Sequence, residues 1–177
     1  MLYLLPIPLD RLDRRERAKG WRHLPVDREG RKKLQAMCQQ LKGRGVTEVY
    51  CSDLDEFAGT IVAEELKVPL VKDYQFRRFN VGKWHGRLTK DLDGILTNVM
   101  RKWQRNPDIP VKEGDSLTSF EKRWNKAYDK LLNVNCGAFV ADEQTLRWIR
   151  ERKPEALVRN GNRLDMDKVY VLRRIEN

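Results

Sequence analysis

The chain has 177 residues, with 36 Lys and Arg against 26 Asp and Glu, giving a formal net charge of +10. Hydrophobic residues are 40% and charged residues 35% of the whole, enough apolar surface for one core and more charge than the roughly 25% of an ordinary globular chain. Regular apolar spacing excludes disorder, no apolar run nears the roughly 18 residues of a membrane span, and three widely spaced cysteines make neither a disulfide framework nor a zinc site. The start, MLYLLPIPLD, lacks the basic and small-residue marks of a signal peptide. One domain over residues 1–177 in the cytoplasm is expected, with no cofactor, no metal and no membrane contact.

Leu2-Tyr3-Leu4-Leu5 reads as a buried strand. An Arg-rich stretch follows, too charged for a core. Gly30 precedes a helical pattern in which Leu34, Met37, Cys38 and Leu41 share a face, and Lys42-Gly43-Arg44-Gly45 stops it. Glu48-Val49-Tyr50-Cys51 reads as a second strand. Ser52-Asp53 is placed to cap the next helix, whose stripe is Leu54, Phe57, Ala58, Ile61, Val62 and Leu66. Pro69-Leu70-Val71 suggests a third strand. The region from about 83 to 115 reads as an irregular insertion, with a helix over Asp91 to Trp103 and a proline-bounded loop after it. A helix from Ser116 to about Asn133, a strand at Cys136 to Ala141, a helix from Glu143 to Lys153 and a closing strand at Val169 to Leu172 complete the chain. Strands alternating with helices predict an α/β three-layer sandwich, a mostly parallel sheet flanked by helices.

Basic residues gather in three places. Arg11, Arg14, Arg15, Arg17, Lys19 and Arg22 form the densest group, and Arg28, Arg31, Lys32 and Lys33 extend it. Arg101, Lys102 and Arg105 flank Trp103. Arg147, Arg150, Arg152 and Lys153 flank Trp148. Cations interleaved with aromatics suit nucleic-acid binding, whereas a solvated helix face with its Trp turned inward has the same pattern. His23 and His85 are the only histidines and read as loop residues; Cys38 and Cys51 read as buried, inert thiols, and Cys136 as a turn thiol with no His nearby in sequence.

Several segments occur in a telling order. Gly20-Trp21, Pro25 and Gly30 are similar to G-W-x-D-x-P-L-T-x-x-G; Ser52-Asp53-Leu54 and Thr60 to S-D-L-x-R-A-x-x-T-A; Phe76-Arg77, Gly82, Trp84 and Gly86 to L-R-E-x-x-x-G-x-W-E-G; and Pro110 with Gly114-Asp115-Ser116 to P-x-G-E-S. The chain thereby resembles the histidine phosphatase superfamily, with its phosphoglycerate mutase-like fold. The resemblance implies an Arg-His-Gly after the first strand, where this chain has Pro6-Ile7-Pro8. The positions it implies for a phosphate-holding Arg, an acidic proton donor and a second His carry Glu56, Arg78 and Asp142. A carbon side chain at Ile7 is no nucleophile.

From these replacements the expectation is a protein that is not an enzyme. It would be a catalytically inactive module binding a protein partner, in a viral or phage assembly and so in host cytoplasm. Arg11, Arg14, Arg15, Arg17, Lys19, Arg22, Arg101, Lys102 and Arg105 would supply its contact surface, and a small-molecule phosphate is not expected to bind. The alternatives are a nonspecific nucleic-acid binder using the same surface, or a phosphatase or mutase acting by another route. A Glu56–Arg78 or Asp142–Arg78 ion pair is expected inside the old pocket.

Overall fold

The structure is a computed structural model that describes residues 1–8, 15–23, 25–152 and 165–172. The first 72 residues run β1 (Leu2–Pro6), α1 (Arg28–Gln39), β2 (Glu48–Cys51), α2 (Glu56–Leu66) and β3 (Leu70–Lys72). The remainder adds α3 (Asp93–Arg105), α4 (Leu117–Leu132), β4 (Gly137–Ala141), α5 (Glu143–Arg152) and β5 (Tyr170–Leu172). The five strands form one sheet in the order β3-β2-β4-β1-β5. All neighbours are parallel except β5, which runs antiparallel to β1 through Leu2–Leu172, Tyr3–Val171 and Leu4–Tyr170. The expected α/β sandwich with a mostly parallel sheet is what the chain forms.

Alternation along each strand splits the core in two. Leu2, Leu4, Phe139 and Ala141 meet Phe76, Phe120, Trp124 and Ile149 on one side. Tyr3, Leu5, Val49, Cys51, Ala138 and Val140 meet Leu34, Met37, Ile61 and Val62 of α1 and α2 on the other. The second face is thin: a Cβ added at Gly59 of α2 would lie 2.5 Å from Cys51 Sγ.

Local details differ from the sequence reading for identifiable reasons. α1 begins at Arg28 rather than after Gly30, because the Asp27 carboxylate accepts the Gly30 N–H at 2.8 Å and caps the first turn. Neither Ser52 nor Asp53 caps α2 with its side chain; a 3₁₀ turn over Asp53–Asp55 comes first. Phe57, expected in the α2 stripe, is 53% exposed, since 100° per residue carries it off the face of Ala58, Ile61 and Val62. The region expected to be irregular holds short 3₁₀ turns at Gly82–Trp84 and Thr89–Leu92 leading into α3.

This topology decides where a ligand sits. β1 continues through α1 to β2 on one side, while β4 continues through α5 to β5 on the other. Adjacent parallel strands whose chains leave in opposite directions open a crevice at their carboxyl ends. Here those ends are Ile7, whose N–H donates to Ala141 O at 2.8 Å, and Asp142. The segment 16–20 is brought alongside by a bridge between Arg17 and Leu88 and by bonds from Ala18 N–H to Arg87 O and from Gly86 N–H to Ala18 O.

Candidate functional site

The floor of the crevice is charged. The Arg78 guanidinium, fully buried, donates from Nη2 to Asp55, from Nε to Asp142 and from Nη1 to Gly20 O at 3.1 Å. Asp55 belongs to the 3₁₀ turn after β2 and also accepts from Ser52 Oγ at 2.8 Å. Asp142 follows β4 and caps α5, accepting the Thr145 N–H at 2.8 Å. Two buried carboxylates thus share one guanidinium. Burial, reinforced by the nearby Asp142 charge, pushes the Asp55 carboxyl up to about 6. Burial also opposes the charge on Asp142, but Arg78 and Lys19 hold it below the ordinary carboxylate range.

Of the two expected ion pairs, Asp142–Arg78 forms and Glu56–Arg78 does not. Glu56 turns outward to Lys72 Nζ at 2.6 Å, and the residue before it, Asp55, takes the inward position. Sequence reasoning missed Asp55. The signal it carried was Ser-x-x-Asp after a strand, the pattern of a turn whose side chains close on themselves.

Beside the floor lies a second ionic layer. Asp53, read from sequence as a cap, instead takes Arg77, with Nε donating at 2.8 Å; that bond keeps the Asp53 carboxyl below its ordinary range. The Arg77 and Arg123 guanidinia stand 4.6 and 5.2 Å from the centre of the Trp21 ring, and Trp21 Nε1 donates to Arg78 O at 2.7 Å. Arg123 is anchored by Asp115 at 2.9 Å.

Above the floor a cleft of about 350 Å³ opens. Its lining mixes charged and polar residues, Arg17, Lys19, Asp142, Glu143, Gln144 and Arg147 among them, with the apolar Val81, Trp84, Leu92 and Leu96. Arg147 pairs with Glu143 one turn back along α5 at 2.5 Å, and Arg17 Nη1 donates to Gly86 O at 2.5 Å. The sequence groups Arg147 with Arg150, Arg152 and Lys153 around Trp148 and does not single out Glu143. The reason is that the cleft joins segments far apart in sequence, which tertiary contacts such as the Arg17–Leu88 bridge bring together.

The structure separates the predicted basic surface. Arg17 and Lys19 enter the cleft, Arg15 and Arg22 are exposed, and Arg101, Lys102 and Arg105 lie exposed on α3. Arg11, Arg14 and Lys153 lie outside the described residues. The interleaved aromatics turn inward: Trp103 packs 5.6 Å from Phe79 and donates to Ile109 O at 2.7 Å, and Trp148 packs 5.2 Å from Trp124. His23 is exposed; His85 is half-buried, and its Nδ1 accepts the Gly20 N–H at 2.9 Å. Burial pushes the Cys38 and Cys51 thiols up to about 12, as expected of inert thiols. Among the described residues no cluster of His, Cys, Asp and Glu is arranged to hold a metal, and no helix is long and apolar enough to cross a membrane.

Known proteins give this geometry a lineage. The sequence profile described as "Histidine phosphatase superfamily (branch 1)" matches residues 11–173. The chain is 25% identical over 129 residues to "Probable phosphoglycerate mutase GpmB" of Yersinia pestis (strain Pestoides F), covering 69% of this chain and 58% of that relative. It therefore spans less than two thirds of the curated relatives it matches. Its fold is similar to that of the phosphoglycerate mutase from Thermus thermophilus, with a TM-score of 0.65 and 20% identity over 85% of this chain and 82% of that one. The mycobacterial glucosyl-3-phosphoglycerate phosphatase solved with VO3 gives a TM-score of 0.64 and 16% identity over 82% and 77% of the two chains. These relatives carry the names of enzymes. They overturn the expectation that the chain is not an enzyme, which rested on the residue types at Pro6, Ile7, Glu56, Arg78 and Asp142. Five positions matched by motif spacing say nothing of groups that converge from elsewhere in the fold, and activity belongs to the assembled site. With residues 11–173 matched and the phosphoglycerate mutase-like sheet in place, the chain belongs to the histidine phosphatase superfamily (branch 1).

Proposed function

We propose that the chain acts on phosphate monoesters, as a phosphatase or mutase, by a route that uses no side chain at the tip of β1. The observation that carries this reading is that Arg17, Lys19 and Arg147 all line one cleft beside Asp142, at the carboxyl end of β4. A phosphate dianion needs several donors and positive charge held in place to repay its desolvation. Arg17 and Lys19 on the segment 16–20 and Arg147 on α5 supply three cations from two separately anchored segments.

Ile7, at the end of β1, has no lone pair, so the attacking group in hydrolysis is water. Its oxygen bonds to phosphorus while the ester P–O bond breaks, and the departing alkoxide takes a proton from solvent, to which the general base later returns the one it accepted. Glu143, held toward the cleft by Arg147, is the carboxylate placed to accept the proton of the attacking water. Arg78, Asp55 and Asp142 act beneath as positioning residues: they fix the start of α5 and the Gly20 backbone, and through them the cleft walls.

The test is inorganic phosphate release from p-nitrophenyl phosphate and a panel of phosphorylated metabolites. Turnover is expected, falling at least tenfold in kcat/KM for Glu143→Gln and for Arg147→Ala. A folded wild-type protein that releases no phosphate from any ester overturns the reading.

A further inference from the structure

Lys19 is held by bonds on either side of it. Ahead of it, the Ala18 N–H donates to Arg87 O and the Ala18 C=O accepts the Gly86 N–H, each at 2.8 Å. Beyond it, the Gly20 N–H donates to His85 Nδ1 at 2.9 Å, and Gly20 O accepts from the buried Arg78 at 3.1 Å. The Lys19 C=O and the Gly20 N–H belong to one planar unit. With Ala18 pinned before it and that unit pinned after it, the Lys19 side chain leaves the backbone in a fixed direction, and the residue lines the cleft.

His85 is itself set by local geometry. With Gly86 it forms the centre of a type II turn: His85 has φ −52° and ψ 128°, Gly86 has φ 79°, and the Arg87 N–H closes on Trp84 O at 3.0 Å. Gly20 admits the ring, since a Cβ added there would lie 3.4 Å from Nδ1 and 3.1 Å from Val81 Cγ2. A ring nitrogen that accepts a bond carries no proton. Replacing it with carbon takes that acceptor from the N–H of a buried glycine.

We infer that His85 is a positioning residue for phosphate binding: through the Gly20 N–H it aims the Lys19 ammonium at the anion. This deepens the functional reading above and rests on it for the phosphate. Among the described residues that line the cleft, Trp84 is one and His85 is not, so His85 acts through Lys19 rather than on the ligand.

Calorimetric titration with inorganic phosphate tests this on the wild type, His85→Ala, His85→Asn, Lys19→Ala and the double variant. His85→Ala should weaken binding about tenfold, the scale of one misdirected bond to a charged group. His85→Asn offers Oδ1 close to where Nδ1 stands and should return binding to within about twofold of wild type. Once Lys19 is Ala, His85→Ala should add nothing, because two residues that act through one contact are not additive. Melting temperatures show which variants fold, and His85→Leu, which keeps bulk without the acceptor, stands in if His85→Ala does not. Additive losses, or no rescue by Asn, overturn the inference even where ester hydrolysis upholds the phosphatase reading. Non-additive losses with rescue, but no turnover of any ester, uphold the inference and overturn the enzymatic reading. A wild type that binds no phosphate overturns both.

Discussion

The floor and the rim of the crevice are both built from ion pairs, yet they follow different physics. On the floor, Arg78 holds Asp55 and Asp142 out of water, with every donor and acceptor aimed by an element end. At the surface, Arg147–Glu143 in the cleft lining and Lys72–Glu56 outside it reach into solvent on long side chains. An exposed pair is worth little because water and salt screen it. A buried pair adds little net stability when intact but loses a great deal when one member is removed. The floor is thus a rigid template and the rim an adaptable set of charges. The proposed phosphoester chemistry would use both, one to hold geometry and one to trade a carboxylate for a phosphate.

Removing Arg78 breaks the contrast most severely. Arg78→Met leaves two buried carboxylates uncompensated, and urea unfolding at pH 7 should show a loss of about 3–5 kcal/mol. Protonation of those carboxylates should shrink the loss at pH 4.

Asp55→Asn is milder and separates the two acids by their titration. Because the Asp55 carboxyl is raised in the folded state to about 6, the native protein holds a proton that the unfolded chain gives up near pH 4. Its contribution to stability is therefore present at low pH and lost as pH rises from about 4 to 6. Asp142 is shifted the other way, so its contribution is present above the unfolded value and lost only in stronger acid. In Asp55→Asn the decline in urea midpoint between pH 4 and 6 should disappear, while the fall below pH 4 remains. A wild-type midpoint that is flat from pH 4 to 6 would contradict the assignment.

Arg77→Ala probes the half-buried layer between floor and rim. It removes a bidentate bond to Asp53 and a cation over Trp21, but it also relieves the repulsion that Arg77 exerts on Arg123. A net loss of about 1 kcal/mol is expected in thermal or urea unfolding, between the floor and rim values. At the surface, Glu56→Ala should leave the melting temperature unchanged within error, since its partner Lys72 is exposed. A large effect there would mean that Glu56, not Asp55, faces the crevice.

The same contrast explains what the sequence disclosed. The sheet, its parallel run and both helical layers were legible because periodicity acts locally: Leu34, Met37 and Cys38 face one way whatever lies across from them. The Asp142–Arg78 pair could be anticipated because the family resemblance placed both residues at positions of one site. Asp55 could not, since its inward turn depends on a 3₁₀ geometry that moves the inward position by one residue. The directions of Trp103 and Trp148 were equally hidden, because a basic helix carrying one aromatic reads alike whether the ring faces solvent or core. The cleft was illegible for a different reason: its members come from three segments joined only by tertiary contacts, and inferring inactivity from strand-tip residues overlooked them.

Pro6 carries one further consequence. It pairs with Ala141 on the β4 side, where Ile7 next donates its N–H, so alternation turns the nitrogen of Pro6 toward β5. That nitrogen has no hydrogen to give. The rung beyond Leu4–Tyr170 therefore lacks the donor from β1, and the Lys168 N–H that would complete it donates to Asp165 O at 3.2 Å instead. β5 thus begins at Tyr170 rather than two residues earlier. Pro8 repeats the same missing donor at the next such position. The two prolines act as a ruler for the sheet's outer border. They set the length of the last strand and withhold from any foreign strand the rungs that would let it zip on toward the crevice.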